Sequence, residues 1–140
     1  MSKKQIKVGV QRGGGPPPGY EWSIGLLDFV YDEALKFLSE EQYRHLAGQV
    51  QELAAQPDAT HSTTVRVQKI EDFYEIKDRG GILRNLNVRV FFGIDDTARG
   101  IIILGAIQKQ NNGPTPAGDR IRMRRRWRKY KNGDYGEFPV

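Results

Sequence analysis

At 140 residues, with 22 Lys and Arg against 17 Asp and Glu, the chain has room for one real core and carries a net charge of +5. It has no cysteine, which excludes a disulfide framework and a thiolate metal site. A mean hydropathy of −0.61, no apolar run of membrane-spanning length and a start that leads into no signal-peptide core predict a soluble cytoplasmic chain with no membrane partner.

Residues 4–11 alternate crudely, with Ile6, Val8 and Val10 against Lys7, Gly9 and Gln11, which predicts a short edge strand. Gly13-Gly-Gly-Pro-Pro-Pro-Gly19 sustains neither helix nor central strand and reads as a linker or ordered loop. No Gly-Lys-Ser/Thr follows it, so it does not make a phosphate loop. Leu27, Val30, Tyr31, Ala34, Leu35 and Leu38 form one apolar stripe, which predicts a helix over 26–38. Ser39 suits the N-cap of a second helix, with Gln42 as its capping-box partner. That helix carries Tyr43, Leu46, Val50 and Leu53 and stops near Pro57-Asp58, making an antiparallel hairpin with the first.

Four strands are predicted next, over 63–68, 72–77, 87–94 and 100–109, each rich in Val, Ile, Phe or Tyr and joined by short turns. Short turns mean antiparallel neighbours. Val88, Val90, Phe92 and Ile94 share one face of the third strand, with Asn87, Arg89 and Phe91 on the other. Ile101-Ile-Ile-Leu-Gly-Ala-Ile107 is apolar on both faces and reads as the central strand. A last helix starts near Pro116, with Met123, Trp127 and Tyr130 as its docking stripe and arginines on the exposed remainder. The fold class expected is α+β: a helix hairpin on a twisted antiparallel sheet of about four strands, with a basic C-terminal helix.

The charge is unevenly distributed. From Ser23 to Asp58 seven acids face only Lys36 and Arg44, a segment charge of −5, so the remainder carries +10. Between Arg120 and Lys131 six arginines and two lysines occupy twelve positions, pointing to a polyanionic partner bound through its phosphates. A solvated charged helix is the plain alternative.

Phe73-Tyr-Glu-Ile-Lys77, a Gly-Gly turn, Asn87-Val-Arg-Val-Phe-Phe92, Ile101-Ile-Ile-Leu-Gly-Ala-Ile-Gln-Lys109 and Thr115-Pro116 before an arginine-rich helix follow one another in that order. This series resembles the RelE/ParE/HigB toxin superfamily, particularly its phage-derived branch. With the hairpin, the resemblance covers residues 23–131, leaving 1–22 as an extension and 132–140 as a flexible tail. It implies a cytoplasmic toxin of a type II toxin–antitoxin system, paired with a cognate antitoxin. Many relatives cleave mRNA on the ribosome, while the ParE branch inhibits DNA gyrase. A third possibility is a basic RNA-binding module of the same fold without activity. A homodimer or a toxin–antitoxin hetero-oligomer is compatible with each.

Metal-free RNA cleavage needs a base for the ribose 2′-OH, positive charge for the phosphorane and an acid for the leaving 5′-oxygen. Arg89, central in its strand, fits the phosphate role, and the resemblance matches it to the family's strand arginine; a cross-strand ion pair is the alternative. The resemblance offers Glu75 as general base, with a structural pair to Arg89 as the equal alternative. Lys77 and Lys109 are candidates for charge or proton transfer, and Tyr130 for stacking, acid catalysis or simple packing. Arg122, Arg124, Arg125, Arg126, Arg128 and Lys129 are assigned to mRNA or ribosomal RNA phosphates, a surface that an acidic antitoxin segment would cover instead. His45 and His61 match no catalytic position, and no His, Asp or Glu cluster has metal spacing, so no metal or cofactor is expected.

Overall fold

The apolar run over residues 100–109 does become the middle of the protein. In the computed structural model, which describes the backbone of residues 6–8 and residues 18–110 and 113–136 in full, it is flanked on both sides within one mixed sheet. The strands are β1 (Ile6–Val8), β2 (Ser23–Leu27), β3 (Arg66–Lys69), β4 (Tyr74–Arg79), β5 (Asn87–Asp95) and β6 (Gly100–Lys109), in the order β1-β2-β6-β5-β4-β3. The helices are α1 (Val30–Ala34), α2 (Glu40–Ala54) and α3 (Ala117–Lys131), with a short 3-10 turn at Gly81–Leu83. The α+β class holds. The Gly/Pro stretch from 13 to 17 and residues 137–140 lie outside the described residues.

Two features depart from expectation. The sheet has six strands, and β2 runs parallel to β6 while every other pair is antiparallel. Leu26 and Leu27, expected to open the first helix, instead close β2, and α1 is only five residues long. The physical reason is burial: Ile24 and Leu27 are buried in a strand beside the apolar stretch 101–107 of β6, and Gly25 just ahead disfavours helix. Only Val30, Ala34 and Leu38 of the expected stripe turn into the core behind it. β1 pairs antiparallel with β2 at the sheet edge, within the region expected to be an edge strand.

The predicted capping box forms. Ser39 Oγ accepts from the Gln42 backbone N–H at 3.1 Å, and Gln42 Oε1 accepts from the Ser39 N–H at 2.9 Å. α1 and α2 cover one sheet face, around Ile24, Val90, Ile103 and Ala106. α3 covers the other, and two glycines admit it. A β-carbon on Gly93 would lie 2.4 Å from the Trp127 ring, and one on Gly105 would lie 2.8 Å from Met123. Burying side chains of that size contributes roughly 1.5–3 kcal/mol each. Tyr135, just beyond α3, packs edge-on against Phe29 at 5.8 Å.

A register shift between Phe91 and Phe92 leaves Leu104 without a partner across the β5–β6 pair, and its carbonyl accepts from Arg126 at 2.9 Å. In the β4–β5 turn Gly80 and Gly81 take positive φ, and so does Arg84, at φ 57° and ψ −116°. For a residue with a β-carbon that conformation costs on the order of 1–3 kcal/mol.

Candidate functional site

The strand register gathers the site. Lys77 sits opposite Arg89 and Arg79 opposite Asn87, while Lys109 of β6 faces Asn87 from the other side. Arg66 of β3 sits opposite Lys77. Directly opposed residues share a sheet face, so these cations lie together on the face that α3 covers only farther along β5, at Gly93. The uncovered end is a cleft of about 320 Å³ lined by Arg66, Lys77, Asp78, Arg79, Asn87 and Arg89.

Arg89 in its lining is 2% exposed, and the Glu75 that it meets is 1% exposed. Arg89 Nη1 donates to Glu75 Oε1 at 3.1 Å, and Thr115 Oγ1 donates to Glu75 Oε2 at 2.6 Å. Lys77 Nζ stands 3.9 Å from the same Oε1. Both carboxylate oxygens are thus engaged, an arrangement suited to aiming the guanidinium. Arg89 Nε is buried with no hydrogen-bond partner among the described residues. Lys109 Nζ donates to the Pro114 carbonyl at 2.7 Å. Desolvation pulls the Lys109 ammonium below its usual range and the Arg89 charge adds to this, with Glu75 opposing.

The structure brings Arg89, Glu75, Lys77 and Lys109 together and leaves Tyr130 elsewhere. The Tyr130 hydroxyl donates to Asp95 Oδ2 at 2.5 Å, and its ring stacks on Trp127. Burial, then the Asp95 hydrogen bond, pushes its phenol far above the usual range. Asp95 lies six positions from Arg89 along β5, which is about 20 Å at the strand rise.

The α3 cations divide into two groups. Arg125, Arg128 and Lys129 are exposed, with side chains that make no hydrogen bond or ion pair among the described residues, and exposed Arg122 bridges to Asp119 at 3.2 Å. Arg124 makes a two-point contact with Glu71 at 2.6 and 2.5 Å. The expected exposure fails at Arg126, which is 13% exposed. It pairs with Glu33 through both oxygens and lies 4.3 Å over the Phe29 ring, because the Leu104 bulge and the acidic α1 sit directly beneath it.

Sequence reading missed Arg66, Arg79 and Arg84. Nothing marks them in a linear pattern, although period-two alternation from Lys77 places Arg79 on the Arg89 face. His45 bonds Asp78 at 2.7 Å and ties α2 to β4. Among the described residues no group of three or more His, Asp or Glu is placed to hold a metal ion, and no helix is long and apolar enough to cross a membrane. No family model matches the chain, and no curated protein matches it.

Proposed function

We propose that this protein is a metal-independent mRNA endoribonuclease, the toxin of a type II toxin–antitoxin pair of the RelE/ParE/HigB kind. The observation that carries the reading is Arg89, aimed by Glu75 and Thr115 at the floor of an open cleft walled by Arg66, Lys77 and Arg79. A buried guanidinium with a fixed orientation and an unused Nε donor is suited to a phosphoryl oxygen.

In this reading Glu75 positions Arg89 rather than acting as base, since Arg89 and Thr115 hold both its oxygens. Lys109 exchanges the proton. Once deprotonated, a state that desolvation brings to lower pH, its amine takes the proton of the 2′-OH as that oxygen attacks phosphorus. The resulting ammonium returns a proton to the departing 5′-oxygen. The P–O2′ bond forms as the P–O5′ bond breaks, leaving a 2′,3′-cyclic phosphate and a 5′-hydroxyl. Lys77 and Arg89 offset the charge that builds on the phosphorane. Arg122, Arg125, Arg128 and Lys129 on the exposed side of α3 engage ribosomal RNA, and an acidic antitoxin segment inhibits by covering the cleft.

The test is induced expression in a bacterial host with primer extension on a reporter mRNA, for wild type, Arg89→Met and Lys109→Met. Growth arrest with new 5′ ends that both substitutions abolish is the expected result. Arrest with intact mRNA would move the function to inhibition of a protein such as gyrase. Absence of arrest would leave an inactive RNA-binding module.

A further inference from the structure

The β4–β5 turn extends the cleft. A second depression, of about 450 Å³, is lined by Arg79, Gly80, Arg84, Asn85, Asn87 and Lys109, among others. Its wall shares Arg79 and Asn87 with the Arg89 cleft, so the two run together along the end of the sheet. We propose that this depression is a second phosphate subsite, and that the protein holds single-stranded RNA by two backbone phosphates, one at Arg89 and one at Arg84. The proposal rests on the RNA-cleaving reading of the first cleft and deepens it.

Three observations support it. Arg84 is exposed, and its side chain makes no ion pair or hydrogen bond among the described residues. It also stands at φ 57°, where glycine is at ease, in a turn that already uses Gly80 and Gly81 at positive φ. A long cationic side chain held in a conformation that disfavours it, with no partner inside the protein, points to a ligand outside. Finally, the two depressions share Arg79, whose side chain also has no acidic partner among the described residues, so an unpaired guanidinium stands between Arg89 and Arg84, with Asp78 the one carboxylate on the lining of either depression. Arg89 lies at the floor of its cleft, which a flexible single strand reaches and a stiff duplex with convex phosphate rails does not. The Asn85 amide, on the wall beside Arg84, offers a donor and an acceptor to an unstacked base.

Arg84→Gly is the discriminating variant, because glycine relaxes the turn while removing the guanidinium. Its backbone N–H still donates to the Gly81 carbonyl, a 3.1 Å bond in the wild type. The variant should melt at the wild-type temperature or above it and bind a labelled single-stranded RNA 12-mer about tenfold more weakly. The slope of log affinity against log salt should fall by about 0.7, one phosphate's worth on a single strand. With 2′-deoxy ligands that resist cleavage, wild type should bind a trinucleotide with two phosphodiesters more tightly than a dinucleotide with one, and Arg84→Gly should erase that gain. Wild-type binding to the 12-mer with no change in Arg84→Gly would overturn the second subsite and leave the first cleft standing. Equal competition by duplex RNA would overturn the single-strand claim. A wild type that binds no RNA would overturn the RNA-cleaving reading itself, and this proposal with it.

Discussion

On α3, Arg120 and Arg124 meet Glu71, Arg126 meets Glu33 and Lys131 meets Asp72. At the end of the sheet, Arg66, Arg79 and Arg84 meet no carboxylate among the described residues, and Arg89 and Lys77 share Glu75. The helix holds the denser run of positive charge in sequence, yet much of it docks the helix. The sheet end gathers fewer cations, from β3, β4, β5, β6 and the β4–β5 turn, and leaves Arg66, Arg79 and Arg84 without a carboxylate around a concavity, whereas Arg125, Arg128 and Lys129 of α3 stand on an exposed helix surface. Charge available to a ligand is therefore the charge left after the fold has used its share, and linear density is a poor measure of it.

The largest expected effect breaks the comparison at its deepest pair. Arg89→Ala strands Glu75 at 1% exposure and should cost about 3–5 kcal/mol of unfolding free energy in urea titration. Replacing both partners, Arg89→Met with Glu75→Met, should recover most of that stability while abolishing RNA cleavage. A single Arg89→Ala that costs less than about 1 kcal/mol would refute the buried pair as drawn. Next in size is Gly93→Ala, whose β-carbon meets the Trp127 ring at 2.4 Å. It should lower stability by about 1–3 kcal/mol and change tryptophan fluorescence, since α3 must shift to make room.

Paired substitutions of arginine sharpen the contrast between the two surfaces. Arg126→Ala removes a two-point contact to Glu33 and a hydrogen bond to the Leu104 carbonyl, and should cost about 1.5–3 kcal/mol in thermal melts. Arg79→Ala removes an exposed side chain without an acidic partner among the described residues and should leave stability within about 0.5 kcal/mol. RNA affinity should respond the other way, falling in Arg79→Ala and staying near wild type in Arg126→Ala. Equal loss of affinity in both variants would place the RNA on α3 as well.

These contrasts also mark where the sequence was readable. α2 with its Ser39–Gln42 box, the long strands β5 and β6, and the start of α3 at Pro116 rest on local signals, and each forms where those signals put it. β2 was misread because a stripe at Leu27, Val30, Ala34 and Leu38 spans a strand end and a short helix that happen to bury the same side. Parallel pairing of β2 with β6 is a long-range choice with no local signature. At the candidate site, the strands that carry Arg89, Glu75, Lys77 and Lys109 were legible from their apolar alternation, and the register places these residues as neighbours. The cleft around them was not, because Arg66 and Arg84 reach it through strand order and a strained turn.

The smallest expected effects come from pH, and the two surfaces respond at opposite ends of the scale. The Arg124 hydrogen bond holds Glu71 below the usual carboxylate range, with burial opposing it and the Arg124 and Arg120 charges reinforcing it. A depressed carboxylate adds stability that is fully present above its unfolded value of about 4.3 and is lost as pH falls through the lower folded value. Lys109 is depressed by desolvation, so between its folded value and about 10.4 the unfolded chain binds more protons and stability rises with pH. Melting temperature against pH should therefore lose part of its acid limb in Glu71→Gln and part of its alkaline rise in Lys109→Met. In the proposed cleavage the same Lys109 shift sets the pH dependence. Cleavage should climb with pH up to the folded Lys109 value and then level, whereas RNA binding, carried by arginines that stay charged, should remain flat over that range. A cleavage profile as flat as the binding profile would remove Lys109 from proton transfer and leave it a cation closing the cleft beside Pro114.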